Sequence, residues 1–203
     1  MNEILTQVKR NPHFEHIETI LLRDGIDPAS LMPDFTDKLH RLVMEHANDN
    51  ETLKEESFYY ILPAIAMYQA LKRCHHDPLA AFREMWLHGA EKGAAFLKEK
   101  AKDKSFLHTW IQNVTPKDCD AGAFVFEIIQ ATEKETEYHV KKCPYVDFCR
   151  EYGCPEIITV FCDSDDISFG NIHPRLIWGR TKTIGRGDPV CDFRYVLLED
   201  SKQ

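Results

Sequence analysis

Long apolar runs are missing from this chain. No segment approaches the roughly 20 consecutive apolar residues that a membrane-spanning helix requires. The opening residues, MNEILTQVKRNPHFEHIE, lack the succession of basic, apolar and small residues that marks a secretion signal. Clustered positive charge is also scarce. The chain carries 33 acidic against 25 basic side chains, a formal net charge of −8, and contact with nucleic-acid phosphates needs the opposite balance, concentrated locally. The densest basic stretch, KEKAKDK at 98–104, contains acids of its own and reads as a solvated helix end. No internal repeat, low-complexity tract or Gly/Ser linker interrupts the 203 residues. These absences predict a soluble, cytoplasmic protein that engages neither membrane nor nucleic acid, with homo-oligomerisation left open.

The cysteines lack the spacing of a structural zinc site. Such sites bring their ligands in close C-x2–4-C pairs. Here Cys143, Cys149, Cys154, Cys162 and Cys191 are separated by six, five, eight and twenty-nine residues. The total of seven is odd, and a reducing cytosol disfavours a disulfide framework. The cysteines are therefore core residues, ligands or nucleophiles. Cys74-His75-His76 offers three ligand types in a row, but neighbours on a helix point in different directions. These histidines read as surface groups at a helix C-terminus, where the dipole favours them. No metal and no cofactor is expected.

The hydrophobic pattern that is present changes character along the chain. Up to about residue 115 it is helical. From Tyr59 to Arg73 apolar residues recur at Ile61, Ile65, Tyr68 and Leu71, widened by Leu62, Ala64 and Ala66. Pro63 either lies in the first turn or bends this helix. From Pro78 to Lys98 the stripe is Leu79, Phe82, Trp86, Gly89, Gly93, Phe96 and Leu97, with Asp77 as N-cap. Gly89 and Gly93 leave room for a close neighbour. Segments 14–23 and 35–46 are helical too. After Pro116, segments 123–131 and 136–143 read as a hairpin around a short charged turn. Helices over 144–152 and 155–165 follow, and strands over 176–184 and 190–198 form a second hairpin across Gly185-Arg-Gly-Asp-Pro189. The fold class is α+β: an N-terminal helical half, about 1–115, packed on a four-stranded, mostly antiparallel sheet in an α+β half, about 116–203, within one domain spanning 1–203.

Chemistry concentrates late. In CDSDD, at 162–166, a cysteine and three acids follow the apolar run Ile157–Phe161. At the end of a helix these acids would oppose the dipole, a weak hint of function against the alternative of an exposed acidic turn. Strand alternation places His139, Lys141 and Cys143 on one face, and Cys191, Phe193 and Tyr195 together on a core-facing one. Two short motifs carry no function: Arg186-Gly187-Asp188 is a hairpin turn, and Asn113-Val114-Thr115 is a glycosylation acceptor only in a secreted chain.

Four motifs in order give the C-terminal part a resemblance. They are Cys143-Pro144 after a strand, Phe161-Cys162-x-x-Asp165, Arg180-Thr181, and Gly187-Asp188-x-x-Cys191-Asp192-Phe193. With the helical segment YYILPAIAMYQALK, this pattern resembles the L-2-amino-thiazoline-4-carboxylic acid hydrolase family over roughly residues 55–198. The resemblance implies hydrolytic opening of a thiazoline ring, with a small molecule as partner and N-carbamoyl-L-cysteine, a product of cysteine metabolism, as outcome. That chemistry needs a base for water, a partner for an amidinium and a cation for the substrate carboxylate. The residues available for it are Asp165 as base or amidinium partner, Arg180 as carboxylate grip, His139 as proton relay, and Cys162 or Cys143 as an alternative nucleophile. Cys191 lies on the substrate side or in the core. Two other readings compete: a non-catalytic small-ligand sensor with an apolar cavity, and a cysteine-rich metal module.

Overall fold

Side-chain caps start three of the six early helices. The computed structural model describes residues 1–199, apart from the Lys104 side chain. Its first elements are α1 (Asn2–Arg10), α2 (Ile17–Arg23), α3 (Pro28–Glu45), α4 (Glu51–Glu56), α5 (Leu62–Cys74) and α6 (Pro78–Lys100). Asp27 accepts from the Ala29 N–H at 3.0 Å, and Pro28 occupies a first-turn position whose N–H needs no partner. Asn50 caps α4 through the Leu53 N–H (2.9 Å), and Asp77 caps α6 through the Ala80 N–H (3.0 Å). A π-helical turn, Ser57–Ile61, separates α4 from α5. Pro63 thus stands in the first turn of α5, directly after the π-helical turn.

The chain forms two compact units. One comprises Met1–Ala90 and Pro144–Phe161, the other Glu91–Cys143 and the chain from Cys162 onward. In the first unit α5 is the central element. Leu62 through Tyr68, Ala70 and Leu71 are all buried, so the helix is covered all round and not along a single stripe. Leu31, Phe35, Leu39 and Leu42 of α3 join this core. Helix α8 (Pro144–Glu151) closes on Gly153, at φ +63°. There the Cys154 N–H reaches the Cys149 carbonyl and the Gly153 N–H that of Arg150, the paired bonds of a Schellman cap.

One expectation for this unit is corrected. His75 is not a surface group: its side chain is 3% exposed. Its Nδ1 accepts from the Asp77 N–H (3.0 Å), which leaves Nε2 to donate to Asp24 (2.9 Å). With both ring nitrogens satisfied, it ties the turn after α5 to the end of α2.

The second unit holds a four-stranded antiparallel sheet in the order β1 (Val125–Ala131), β2 (Glu135–Lys142), β4 (Cys191–Leu197), β3 (Leu176–Gly179). Register sets Tyr138 against Phe193, Val140 against Cys191, and Trp178 against Tyr195. One face of the sheet carries Tyr138, Val140, Leu176, Cys191, Tyr195 and Leu197 into a core shared with Leu107 and Ile111 of α7 (Lys104–Val114). The α+β architecture follows from this sheet and the helices before it.

Helix α3, expected over 35–46, begins already at Pro28, and two further boundaries differ beside the late acidic run. The helix expected to end at Asp165 is α9 (Ile158–Phe169), entered through a 3-10 turn at Pro155–Ile157, and it runs a further turn. The strand expected to reach Ile184 stops at Gly179. Beyond it the Thr181 and Lys182 N–H groups donate to the Asp192 carboxylate at 2.8 and 2.6 Å, so a side chain replaces the strand ladder. The Arg-Gly-Asp stretch is a turn, as expected, with Gly187 at φ +100° and Asp188 Oδ2 accepting from the Thr183 N–H.

The two α6 glycines predict opposite effects of the same substitution. A Cβ on Gly89 would lie 2.5 Å from the Cα of His13, whose ring stacks on Trp86 and whose Nδ1 meets the Trp86 carbonyl at 2.7 Å. Backbone must move, so Gly89→Ala should destabilise by about 1–3 kcal/mol. A Cβ on Gly93 meets only Ser168 Oγ at 3.9 Å. Gly93→Ala should stabilise by up to about 1 kcal/mol through helix propensity. Urea denaturation of both variants checks the pair; equal effects would contradict it.

Candidate active site

Cys162, Asp165, Asp166 and Phe169 recur at three- and four-residue intervals, so they share one face of α9. Arg180, the first residue past β3, meets that face. Its Nη1 donates to Asp165 Oδ2 (2.8 Å), and its Nη2 donates to Asp166 Oδ2 (2.8 Å) and to the Cys162 carbonyl (2.6 Å). Its guanidinium carbon lies 5.7 Å from the Trp178 ring and 5.4 Å from the Phe193 ring, within cation–π range. The Trp178 indole N–H donates to the other oxygen of Asp166 (3.1 Å).

Burial is uneven across this pair. The Arg180 side chain is 2% exposed, whereas Asp165 and Asp166 are 37% and 47% exposed. Burial works against the guanidinium charge, and the two carboxylates more than offset it, so Arg180 is held charged. The same burial raises the Cys162 thiol to about 11, a rise that Arg180 only partly opposes. It raises Cys191 as well, although the Ile184 N–H donates to the Cys191 sulfur at 3.2 Å. The phenols of Tyr138 and Tyr195 are raised by burial too, with the negative charge of Asp165 adding to the effect. One cation between two carboxylates, flanked by the Trp178 and Phe193 rings, leaves a surplus of negative charge. Such a site favours a cationic, amidinium-like group.

Of the six residues singled out from the sequence, Asp165, Cys162 and Arg180 come together here, while Cys191 belongs to the core cluster of the sheet. His139 does not join them. Its strand neighbours Tyr138 and Val140 enter the core, so its own side chain takes the other face of β2, where Nδ1 lies 4.0 Å from Glu127. Cys143 packs against the core cluster itself and not with His139. It lies one residue past the end of β2, where the chain turns into α8 and strand alternation no longer applies. All seven cysteines are free thiols. Among the described residues no group of three or more His, Cys, Asp or Glu side chains is placed to hold a metal ion. No helix among them is long and apolar enough to cross a membrane.

Two contributors escaped the sequence reading. Asp166 shares Arg180 with Asp165, although it stood in the same acidic run. Asp192 holds the segment after Arg180 through Thr181 Oγ1 (2.6 Å) and the two backbone N–H groups; a lone acid on a strand gave no signal of that.

The chain matches the L-2-amino-thiazoline-4-carboxylic acid hydrolase family over residues 54–195 and belongs to that family. The matched segment contains every residue of the cluster. No curated protein and no solved structure matches the chain.

Asp192 supplies a pH test of how the Arg180 segment is held. Burial alone would raise its carboxyl, but bonds from the Thr181 hydroxyl and the Lys182 and Thr181 N–H groups bring it below the ordinary 3.8. A depressed folded-state value adds stability that is complete above 3.8 and is lost as acid protonates the folded carboxylate. Asp192→Ala should therefore melt below wild type at neutral pH, and the gap should narrow as pH falls below 3.8. A gap independent of pH, read from melting curves, would exclude the carboxylate as the cause.

Proposed function

We propose that this protein is a hydrolase that opens a small cyclic amidine bearing a carboxylate, with L-2-amino-thiazoline-4-carboxylic acid as the substrate that family membership favours. The observation that carries this reading is the direct pairing of Asp165 with Arg180 within the family-matched segment. Asp165 accepts a proton from water as the water oxygen bonds to C2 of the ring, and its charge steadies the amidinium before attack. The C2–S bond then breaks with its electron pair on sulfur. The thiolate takes the proton held by Asp165 to become the free thiol, and the hydroxyl on C2 gives up its proton to solvent, leaving the urea carbonyl of N-carbamoyl-L-cysteine. Arg180 takes the substrate carboxylate in exchange for Asp166, the more exposed of its two acids.

Water, and not Cys162, is the nucleophile in this scheme. With its thiol raised to about 11, only about one Cys162 in ten thousand is a thiolate at neutral pH. His139, on the far face of β2, takes no part.

Incubating the protein with the thiazoline acid and following free thiol tests the reading. Asp165→Asn should lower thiol release per folded molecule at least about 100-fold. It should also cost some stability, because Arg180 loses one of its acids. Undiminished turnover in Asp165→Asn would remove Asp165 from the mechanism.

A further inference from the structure

The first unit holds a cavity of its own, about 140 Å³ in volume, lined by Lys38, Arg41, Leu42, Glu45, Gln69 and Tyr152. Lys38, Arg41, Leu42 and Glu45 recur at i, i+3, i+4 and i+7, so one stripe of α3 makes its wall. Gln69 comes from α5, and Tyr152 directly follows α8. Charge is ordered along the wall: Arg41 and Lys38 precede the acid Glu45 by about 6 and about 10 Å of helix axis. Neither cation is closely answered. Lys38 is 14% exposed, yet its carboxylate partner, Asp34 Oδ1, is 3.8 Å away and already accepts from Arg73 at 2.6 Å. Arg41 is exposed and pairs with no acid among the described residues. The acid, by contrast, is fixed. Tyr152 Oη bridges Glu45 Oε2 (2.9 Å) and His46 Nε2 (2.7 Å), and Asp49 Oδ2 meets His46 Nδ1 at 2.8 Å. Gln69 is fixed as well, its Nε2 donating to the Tyr152 carbonyl (3.3 Å). Glu45 Oε1 and Gln69 Oε1 are thereby left as acceptors beside two cations that lack close partners, with buried Leu42 as an apolar floor.

We propose that this cavity binds a small α-amino acid in its zwitterionic form: Lys38 and Arg41 take the carboxylate, and Glu45 with Gln69 takes the ammonium group. A guanidinium grips a carboxylate through parallel N–H donors, and a lysine adds a point charge beside it. An ammonium group offers three donors and no acceptor, which suits a carboxylate oxygen and an amide oxygen. A plain carboxylate would leave Glu45 facing a like charge, and a plain amine would meet two cations, so the lining selects a ligand that carries both signs. The size agrees, because a cavity of about 150 Å³ takes benzene, a guest comparable to L-alanine. None of these residues belongs to the Asp165–Arg180 cluster, so the proposal stands or falls apart from the hydrolase reading.

Isothermal titration of the whole chain with L-alanine tests this. Binding should saturate at one molecule per chain, with a Kd in the millimolar range or below. Acetate and methylamine, which each carry one of the two charges, should bind at least about tenfold more weakly. Arg41→Met and Glu45→Gln should each weaken L-alanine binding at least about tenfold, the loss of a charge-assisted hydrogen bond. Both variants should melt close to wild type, because both side chains are exposed. Acetate binding as tightly as L-alanine would overturn the zwitterion selectivity. Unchanged L-alanine binding in either variant would put the ligand elsewhere and overturn the site, and a wild-type protein that binds no L-alanine would overturn the proposal outright. Thiol release is not read in this titration, so each of these results leaves the hydrolase reading to its own test.

Discussion

The second compact unit is organised around one buried cation. Arg180 is almost fully covered, and a lone guanidinium so placed would be expensive to desolvate. Two carboxylates from consecutive positions on α9 and one backbone carbonyl from the same helix offset that cost. The acids keep part of their surface in water while the guanidinium does not. This asymmetry matters, because the carboxylates hold their hydration while still lending their charge to the covered group.

Other features of the unit follow from that arrangement. Acids in the last turns of a helix oppose its dipole, yet α9 continues to Phe169. Asp165 and Asp166 are bound to Arg180, and Asp163 to Arg186, so the unfavourable charge is largely answered. The end of β3 is set in the same place. Once Arg180 turns inward, the next two N–H groups go to Asp192 instead of to a strand. The rings of Trp178 and Phe193 then flank the cation from the sheet.

Much of this fold was legible in the residues. Both hairpins, the caps at Asp77 and Gly153, and the all-antiparallel sheet follow from alternation, turn chemistry and helical spacing. The meeting of Asp165 with Arg180 was also anticipated, because acid and guanidinium were the groups that the ring-opening chemistry demanded. What escaped detection depended on partners distant in sequence. His75 read as a surface residue because Asp24, which satisfies it, lies 51 positions away. The extension of α9 was invisible because the charges that permit it come from residues 180 and 186. His139 read as a candidate from its type alone, and strand alternation, which placed Tyr138 inward, also placed His139 outward.

The central claim is that Asp165 and Arg180 act as one unit. A double-mutant cycle measures this directly, with Asp165→Asn, Arg180→Met and the double variant compared by chemical denaturation. The claim predicts a coupling of about 1–3 kcal/mol, beyond the roughly 0.3–0.5 kcal/mol within which independent sites add. Additive effects would mean that the two side chains lie together without depending on each other, and the account of the site would fail.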